Sequence, residues 1–224
     1  MVLVHGWGGS FASTWDRSGF TALLADAGRE VIGVDLLGHG TAPKPHDAAA
    51  YADLTSRIVE QLPDAPADAV GFSLGALTLL RTAVAMPHRF RRLVLAGVGR
   101  NVFERDDAIT ARIVAGIEGT ADPDDNIARL FGQYAHIEGN DPAALAAVMR
   151  RPDPAPLTPA DVAGVTCPVL IALGDNDFAQ PAAALLAALP DASYVELRNT
   201  DHFATPESLP FVDAVLRFLD ATPV

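Results

Sequence analysis

Short apolar runs, typical of buried strands, alternate along the chain with longer segments in which apolar residues recur every three or four positions, as on one face of a helix. The predicted strands are at 1–4, 31–34, 67–72, 93–95, 168–173 and 193–197. The predicted helices are at 20–27, 51–62, 74–84, 182–189 and 206–220. Because strands that alternate with helices form a parallel sheet covered on both faces, the pattern predicts an α/β fold.

The alternation is interrupted after residue 99. Residues 100–166 have helical patterning without strand signals, and four prolines (Pro152, Pro154, Pro156 and Pro159) precede the next apolar run. This pattern indicates a helical insertion rather than another strand-helix unit. The predicted core is therefore formed by residues 1–99 and 167–224, with residues 100–166 inserted between its two parts.

Polar residues follow the carboxyl ends of several predicted strands. They are His5, Asp35, Ser73, Asp177 and His202. Because ligands of open parallel sheets bind at this edge, the order of the elements predicts that these side chains converge on one site.

The segment Gly71-Phe72-Ser73-Leu74-Gly75 fits the G-x-S-x-G pattern of a nucleophile elbow, in which a strand turns sharply into a helix with the serine at the tip. Glycine at both ends leaves room for a strained backbone at Ser73. The N-terminus of the following helix, with its free N–H groups, favours a developing oxyanion. The pattern also occurs in ordinary glycine-rich loops, so its meaning depends on the partners that the rest of the chain supplies.

A serine hydroxyl needs a base, and a carboxylate must fix the tautomer of that base and stabilise its imidazolium. Among the six histidines, only His202 follows the last predicted strand, where a loop can return over Ser73. Asp177 and Asp175 are both candidates for the acid. Asp177 is deeper in its loop and is favoured, whereas Asp175 can brace the turn. Ser73, Asp177 and His202 then follow the chain order serine, acid, histidine of this elbow architecture.

An oxyanion hole requires two N–H donors near the nucleophile. The backbone N–H of Leu74, directly after Ser73, is one candidate. The N–H of Trp7, in the glycine-rich loop after the first strand, is the other. A phosphate-binding role for this loop is disfavoured, because no Lys-Ser or Lys-Thr follows it and G-x-G-x-x-G is not met.

The composition narrows the choice of partners. The 224 residues, half of them hydrophobic, suffice for one sizeable domain. A net charge of −12 argues against nucleic acid and anionic membrane surfaces. The single cysteine, Cys167, excludes an internal disulfide and a multi-thiolate metal site. Because neither an apolar run of about 18 residues nor a signal-peptide pattern occurs, we expect a cytoplasmic protein. We also expect that the protein uses no cofactor and no metal.

Together these motifs resemble the α/β-hydrolase superfamily, in particular its small, cap-bearing, esterase-like members. His5-Gly6-Trp7-Gly8 is similar to the oxyanion-loop motif, and residues 35–40 are similar to the D-x-x-G-H-G loop. Residues 174–177 resemble the G-x-x-D acid loop, and residues 201–203 resemble the terminal G-H-F, with Asp201 in the place of glycine. The resemblance covers essentially the whole chain. The His-Gly-Trp-Gly loop is also seen in carboxylesterases that act on acyl-chain methyl esters.

The resemblance implies an α/β-hydrolase fold, a mostly parallel sheet flanked by helices, in which residues 100–166 form a small helical lid. Phe103, Phe131 and Tyr134 are then expected to line the substrate pocket, with ordinary packing within the lid as the alternative. The family usually has two strands before the oxyanion loop, and here the chain begins almost at that loop. Either the fold is trimmed or the start of the sequence is placed too late. A trimmed sheet would lack those first two strands and expose an edge through which a homodimer could form.

The resulting hypothesis is a serine hydrolase that cleaves a small-molecule carboxylic ester through an acyl-enzyme. Thioesterase, lactonase, C–C hydrolase and cofactor-free perhydrolase activities use the same triad and stay open. Dehalogenases and epoxide hydrolases of this fold use an aspartate nucleophile, which Ser73 argues against. A non-catalytic ligand receptor on the same scaffold is the alternative of a different class.

Overall fold

The computed structural model describes residues 1–152 and 155–222; residues 153–154 of the predicted insertion and 223–224 of the predicted core lie outside the described residues. Within the described part, six parallel strands form one sheet in the order β2-β1-β3-β4-β5-β6. They are β1 Val2–Val4, β2 Ile32–Val34, β3 Ala67–Phe72, β4 Phe90–Ala96, β5 Val169–Gly174 and β6 Ala192–Leu197. Each predicted strand is present, and the parallel α/β fold is confirmed.

The strand order determines where a ligand site can form. β1 pairs with β2 on one side and with β3 on the other, so the chain reverses its direction of progress across the sheet at β1. The crevice beyond the carboxyl ends of β1 and β3 is therefore a topological switch point, where open α/β sheets bind their ligands. The glycine-rich loop after β1 and the elbow after β3 both begin at this crevice.

Helices cover both faces of the sheet. They are α1 Phe20–Asp26, α2 Ser56–Val59, α3 Leu74–Ala85, α4 Asp107–Ile117, α5 Asn126–Ala135, α6 Pro142–Met149, α7 Pro159–Val162, α8 Ala183–Ala188 and α9 Leu209–Phe218. On one face, Leu3 and Val70 pack with Trp15, Phe20 and Phe211 from the α1 and α9 side. The other face is covered by α2, α3 and α8 together with part of the insertion. Alternate residues of each strand therefore face two different apolar clusters.

The segment between β4 and β5 is helical in its described part, as expected, and contributes α4 to α7. Its two longest helices, α4 and α5, cross at glycines. A Cβ atom on Gly116 would overlap the backbone of Ala128, and one on Gly132 would lie 2.9 Å from the backbone carbon of Gly116. The helices are thus in direct backbone contact. That this segment acts as a lid stays a prediction.

The helix predicted over residues 51–62 is wrong for most of its length. The structure has a 3₁₀ turn at Ala48–Tyr51 and then only the short α2. The side chain of Asp53 accounts for the difference, because its Oδ1 accepts hydrogen bonds from the N–H (2.8 Å) and the hydroxyl (2.6 Å) of Thr55. Such a local bond offers the backbone an alternative to the helix.

The edges of the sheet are β2 and β6. It stays a prediction that the sheet lacks the family's first two strands. It also stays a prediction that a homodimer forms through a sheet edge. Across residues 1–152 and 155–222, the structure has no helix that is both long and apolar enough to cross a membrane.

Candidate active site

The turn from β3 into α3 has the geometry of a nucleophile elbow. Ser73 has φ 52° and ψ −115°, a strained conformation for a residue with a side chain. Its N–H donates to Ala96 O of β4 at 2.8 Å, which anchors the turn to the sheet. A Cβ atom on Gly75 would lie 2.6 Å from Val4 O, and one on Gly71 would lie 2.8 Å from the backbone of α3. Both glycines are therefore required by close backbone contact.

Ser73, His202 and Asp177 form a continuous hydrogen-bonded chain, although they come from three separate loops. Ser73 Oγ lies 2.8 Å from His202 Nε2. His202 Nδ1 lies 2.8 Å from Oδ2 and 3.0 Å from Oδ1 of Asp177. Because an ionised carboxylate can only accept hydrogen bonds, Nδ1 carries the proton and Nε2 is free to accept from the hydroxyl. This is the arrangement that general-base activation of a serine requires.

The other acid candidate, Asp175, is bonded to the loop that precedes the imidazole. Its carboxylate accepts hydrogen bonds from the N–H groups of Asn199 (3.0 Å) and Thr200 (3.2 Å). Asp177 contacts the imidazole itself and accepts a further bond at Oδ1 from the N–H of Ala179 at 2.8 Å. The two carboxylates therefore have different surroundings: Asp175 braces a loop, and Asp177 orients the ring.

Aromatic rings surround the imidazole of His202. Phe178 lies against it with ring centroids 4.2 Å apart, and Phe72 and Phe203 approach to 5.0 and 5.6 Å. His202 and Asp177 are each only 5% exposed. Restricted access of water strengthens the hydrogen bonds between them. Phe178 was not among the residues predicted from the sequence, although its place directly after Asp177 was a signal that could have identified it.

Two backbone N–H groups beside Ser73 are available to an oxyanion. Among the described residues, neither the N–H of Trp7 nor that of Leu74 donates a hydrogen bond to another group. Leu74 is the first residue of α3, so the helix itself offers its N–H no acceptor. Trp7 lies in a turn closed by the bond from Gly9 N–H to Gly6 O at 3.1 Å. This turn is next to the elbow, since a Cβ atom on Gly6 would lie 3.3 Å from the Cβ of Ser73.

A cleft of about 420 Å³ opens beside Ser73. Its apolar lining comes from both the core and the insertion: Trp7, Leu74, Leu77, Ile109, Ile113, Phe131, Met149 and Phe178. Phe131 is among these residues, and its contact with a substrate stays a prediction. Phe103 and Tyr134 are not among the described residues that line the cleft. Phe103 packs against the apolar core, and Tyr134 lies over Gly8. Contact of those two side chains with a substrate stays a prediction.

A second cavity of about 220 Å³ adjoins the cleft. The lining residues common to both are Leu74, Leu77, Asn101, Glu104, Arg105, Asp106 and Arg151. The cleft and the second cavity follow one face of α3. Three half-buried residues recur on this face at four-residue spacing: Ser73, Leu77 and Arg81. Eight residues of helix correspond to about 12 Å along the axis. The space beside Ser73 thus continues along α3 and can accommodate an extended group.

Two further histidines at this edge of the sheet, His5 and His39, are fully buried, with ring centroids 5.0 Å apart. Burial lowers the pKa of His5 and lowers the pKa of His39 to about 3, because a low-dielectric site disfavours the imidazolium. His5 Nε2 lies 3.1 Å from the N–H of Leu36, which joins the first loop to the second. Asp35 Oδ1 accepts a hydrogen bond from the N–H of Phe11, and Asp35 Oδ2 accepts one from the N–H of Thr41, both at 2.7 Å. These residues brace loops and do not line the cleft.

Metal-ligating side chains are dispersed. In the part of the chain that the structure describes, no group of three or more His, Cys, Asp or Glu side chains could hold a metal ion. Cys167 is buried and its pKa is raised by desolvation.

Comparisons with known proteins agree with this geometry. A family model described as the Alpha/beta hydrolase family matches residues 1–221. A pimeloyl-[acyl-carrier protein] methyl ester esterase of Neisseria meningitidis serogroup B is 43% identical over 99 residues, which cover 42% of this chain and 34% of that relative. A 2-hydroxy-6-oxo-2,4-heptadienoate hydrolase of Pseudomonas putida is 32% identical over 115 residues, which cover 50% of this chain and 41% of that relative. The chain spans less than half the length of these curated relatives.

Solved structures resemble the chain over nearly its whole length. The enol-lactonase of Burkholderia xenovorans LB400 matches with a TM-score of 0.68 and 22% identity, over 98% of this chain and 90% of that chain. At this level of identity the likeness shows the fold alone, and the order of the strands agrees with it.

Proposed function

The chain belongs to the alpha/beta hydrolase family, and from this premise we propose that it is a serine hydrolase that cleaves carboxylic esters through an acyl-enzyme. One observation carries the proposal. The hydrogen-bonded chain of Ser73, His202 and Asp177 lies at the switch point of the sheet, beside two unpaired N–H groups. The two curated relatives are named as an esterase and a hydrolase, which supports hydrolysis as the reaction class.

The first half of the proposed reaction forms the acyl-enzyme. Ser73 Oγ attacks the ester carbonyl carbon while His202 Nε2, 2.8 Å away, takes the hydroxyl proton. Asp177 holds Nδ1–H and stabilises the imidazolium that forms. The N–H groups of Trp7 and Leu74 stabilise the negative charge on the carbonyl oxygen. The imidazolium then protonates the departing alkoxide, and the alcohol leaves.

The second half uses the same groups in reverse. A water molecule gives its proton to His202 Nε2 and attacks the acyl carbon, and the same two N–H groups stabilise the second tetrahedral intermediate. Collapse of this intermediate returns the proton to Ser73 Oγ and releases the carboxylic acid. The strained backbone at Ser73 keeps the hydroxyl exposed at the tip of the elbow in both halves.

We propose that the substrate is a small molecule with an extended apolar group on one side of the ester. The apolar side chains among the residues that line the cleft support this. The continuation along α3, which is also lined by Glu104, Arg105 and Asp106, gives the group room to extend. Thioesters, lactones and C–C bonds can be cleaved by the same groups, so a panel of substrates must distinguish them.

The test is a series of p-nitrophenyl esters from acetate to dodecanoate together with labelling by a fluorophosphonate. We expect hydrolysis and labelling in the wild type, and loss of both in Ser73→Ala. Ser193→Ala, at an exposed position on β6 that lines neither the cleft nor the second cavity, is the matched control and keeps both. A folded wild type that ignores the probe and every ester would contradict the proposal and favour a ligand receptor.

A further inference from the structure

Asn140 lies in the turn between α5 and α6 and reaches from the insertion to the first loop of the core. Its side-chain amide donates hydrogen bonds to Gly8 O (2.8 Å) and to Tyr134 O (3.1 Å). Its own N–H donates to Ile137 O at 3.0 Å, which closes the turn. One residue of the insertion is therefore bonded directly to the loop that carries Trp7, the proposed oxyanion donor.

Two peptide planes connect this bond to the Trp7 N–H. The carbonyl of Gly8 belongs to the Gly8–Gly9 peptide, whose N–H donates to Gly6 O at 3.1 Å. The carbonyl of Gly6 belongs in turn to the Gly6–Trp7 peptide, whose N–H is the proposed oxyanion donor. In a planar trans peptide the C=O and the N–H point in opposite directions, so fixing the carbonyl fixes the N–H. Consecutive hydrogen bonds also polarise one another.

His5 holds the second of these carbonyls from the core. Its Nε2 lies 3.1 Å from Leu36 N, and because a backbone N–H can only donate, Nε2 is the acceptor and Nδ1 carries the proton. Nδ1 then donates to Gly6 O at 2.7 Å. The orientation of the Gly6–Trp7 peptide is thus set by His5 and by the Gly8–Gly9 peptide, and the latter is held by the Asn140 amide.

Other contacts from the insertion hold the same loop. The indole Nε1–H of Trp7 donates to Leu145 O at 3.2 Å. The ring of Tyr134 lies over Gly8, whose φ is +74°, and a Cβ atom there would lie 2.6 Å from Tyr134 Cδ1. Of these contacts, the hydrogen bonds of the Asn140 amide can be removed with the least change in packing, because aspartate has the same shape as asparagine and lacks the N–H donor.

We propose that Asn140 is a positioning residue for the oxyanion hole: through two successive peptide planes it sets the direction of the Trp7 N–H. The inference rests on the proposed function, since it concerns the same acyl transfer. The insertion thereby completes the oxyanion hole in addition to forming a wall of the cleft.

The test compares Asn140→Asp with the wild type. The new carboxylate oxygen repels the carbonyls of Gly8 and Tyr134, so the loop loses its anchor. We expect kcat for p-nitrophenyl acetate to fall about tenfold with KM unchanged, less than the 10²–10³ that loss of a whole oxyanion donor costs. The affinity for phenylboronic acid, which forms a tetrahedral adduct on Ser73 with an oxygen in the hole, falls by a similar factor. Gln133→Glu makes the same amide-to-acid change at an exposed position of α5 and leaves all three quantities unchanged.

The proposal is overturned if Asn140→Asp keeps wild-type kcat and boronate affinity. It is also overturned if kcat falls only in proportion to the loss of folded protein, measured by Tm and active-site titration. Asn140→Ala gives the same readouts should the aspartate variant not fold. If the wild type hydrolyses no ester, the proposed function fails, and the boronate affinities of the two proteins still decide the role of Asn140.

Discussion

The two sides of the cleft are built differently. On the sheet side, buried hydrogen bonds join the loops that follow the strands, as between His202 and Asp177, both 5% exposed. Within the insertion, the ion pair between Arg112 and Asp125 lies at the surface, and α4 and α5 are joined at the glycine crossing around Gly116. The comparison teaches that the sheet fixes the nucleophile, its base and its acid, whereas the insertion shapes the cleft and, through Asn140, holds the loop that carries the Trp7 N–H. Surface ion pairs contribute little to stability, so the insertion is the side more open to change.

The largest effect is expected from Asp177→Asn, on the sheet side. The amide keeps the shape of the side chain but offers a donor to His202 Nδ1, which favours the wrong tautomer of the imidazole. We expect kcat to fall about 10⁴-fold with the fold intact. Steady-state kinetics with p-nitrophenyl acetate and a thermal unfolding curve check this.

Asp175→Asn is the matched control, because it makes the same change two residues away. It weakens the bonds to the N–H groups of Asn199 and Thr200, so it lowers Tm, and its effect on kcat stays far smaller than that of Asp177→Asn. If the two variants lost activity equally, the assignment of Asp177 as the acid would be wrong.

The two glycine contacts offer a second comparison, in stability. In Gly75→Ala, the added Cβ meets Val4 O and the neighbouring strand-end carbonyl, which are sheet backbone and cannot move aside. Overpacking of this kind costs about 1–3 kcal/mol, and we expect the whole protein to unfold at a lower temperature. In Gly116→Ala, the Cβ meets Ala128 O, so α4 and α5 separate while the sheet remains.

Limited proteolysis followed by mass spectrometry distinguishes the two outcomes. Gly116→Ala is expected to be cut within residues 100–166 while the core resists. Gly164→Ala, whose Cβ would meet only Asp161 O at 3.3 Å, is the control and behaves as the wild type. Uniform cutting of the Gly116 variant would show that the insertion does not loosen independently of the core.

Acid should destabilise the sheet side through its buried histidines. The pKa of His39 is lowered to about 3, so the native state stays unprotonated there while the unfolded chain, with a histidine pKa of about 6.5, takes up a proton. A lowered native pKa contributes stability that is complete above pH 6.5 or so and is lost progressively as the pH falls towards 3. The pKa of His5 is also lowered and acts in the same direction.

The measurement is the free energy of unfolding in urea between pH 7.5 and 5. His39→Gln removes one titrating group and is expected to reduce the slope by up to about 1.4 kcal/mol per pH unit. The same substitution at the exposed His88 is the control and leaves the slope unchanged. Carboxylates with lowered pKa, such as Asp35, act below about pH 5, so they do not obscure the effect between pH 7.5 and 5.

The sheet side could be predicted from the sequence because its constraints are local or follow from element order. The spacing of Gly71, Ser73 and Gly75 is imposed by backbone contacts within one turn. The meeting of Ser73 with His202 follows because both come after strands of one parallel sheet. The choice between Asp175 and Asp177 could only be weighed from the sequence, since both carboxylates lie in one loop and only their tertiary contacts differ.

The insertion side could be predicted only as helical. The bond from Asn140 to Gly8 joins residues 132 positions apart, and no local pattern in either segment indicates the other. The helix predicted around Tyr51 failed for a local reason, because the Asp53 side chain competed with the helix. Phe178 lies against His202 through a loop conformation that apolar periodicity does not describe.

The smallest effect concerns the space along the core helix α3, and it tests whether this space sets the length of the substrate. Leu77 lines both the cleft and the second cavity, so Leu77→Trp fills the passage between them. We expect the ratio of kcat/KM for p-nitrophenyl octanoate to that for the acetate to fall about tenfold, the scale on which a pocket distinguishes one or two methylene groups. Leu130→Trp, on α5, is the matched control at a position 43% exposed that lines neither cavity, and it keeps the wild-type ratio. An unchanged ratio in Leu77→Trp would mean that the extended group follows a path other than the one along α3.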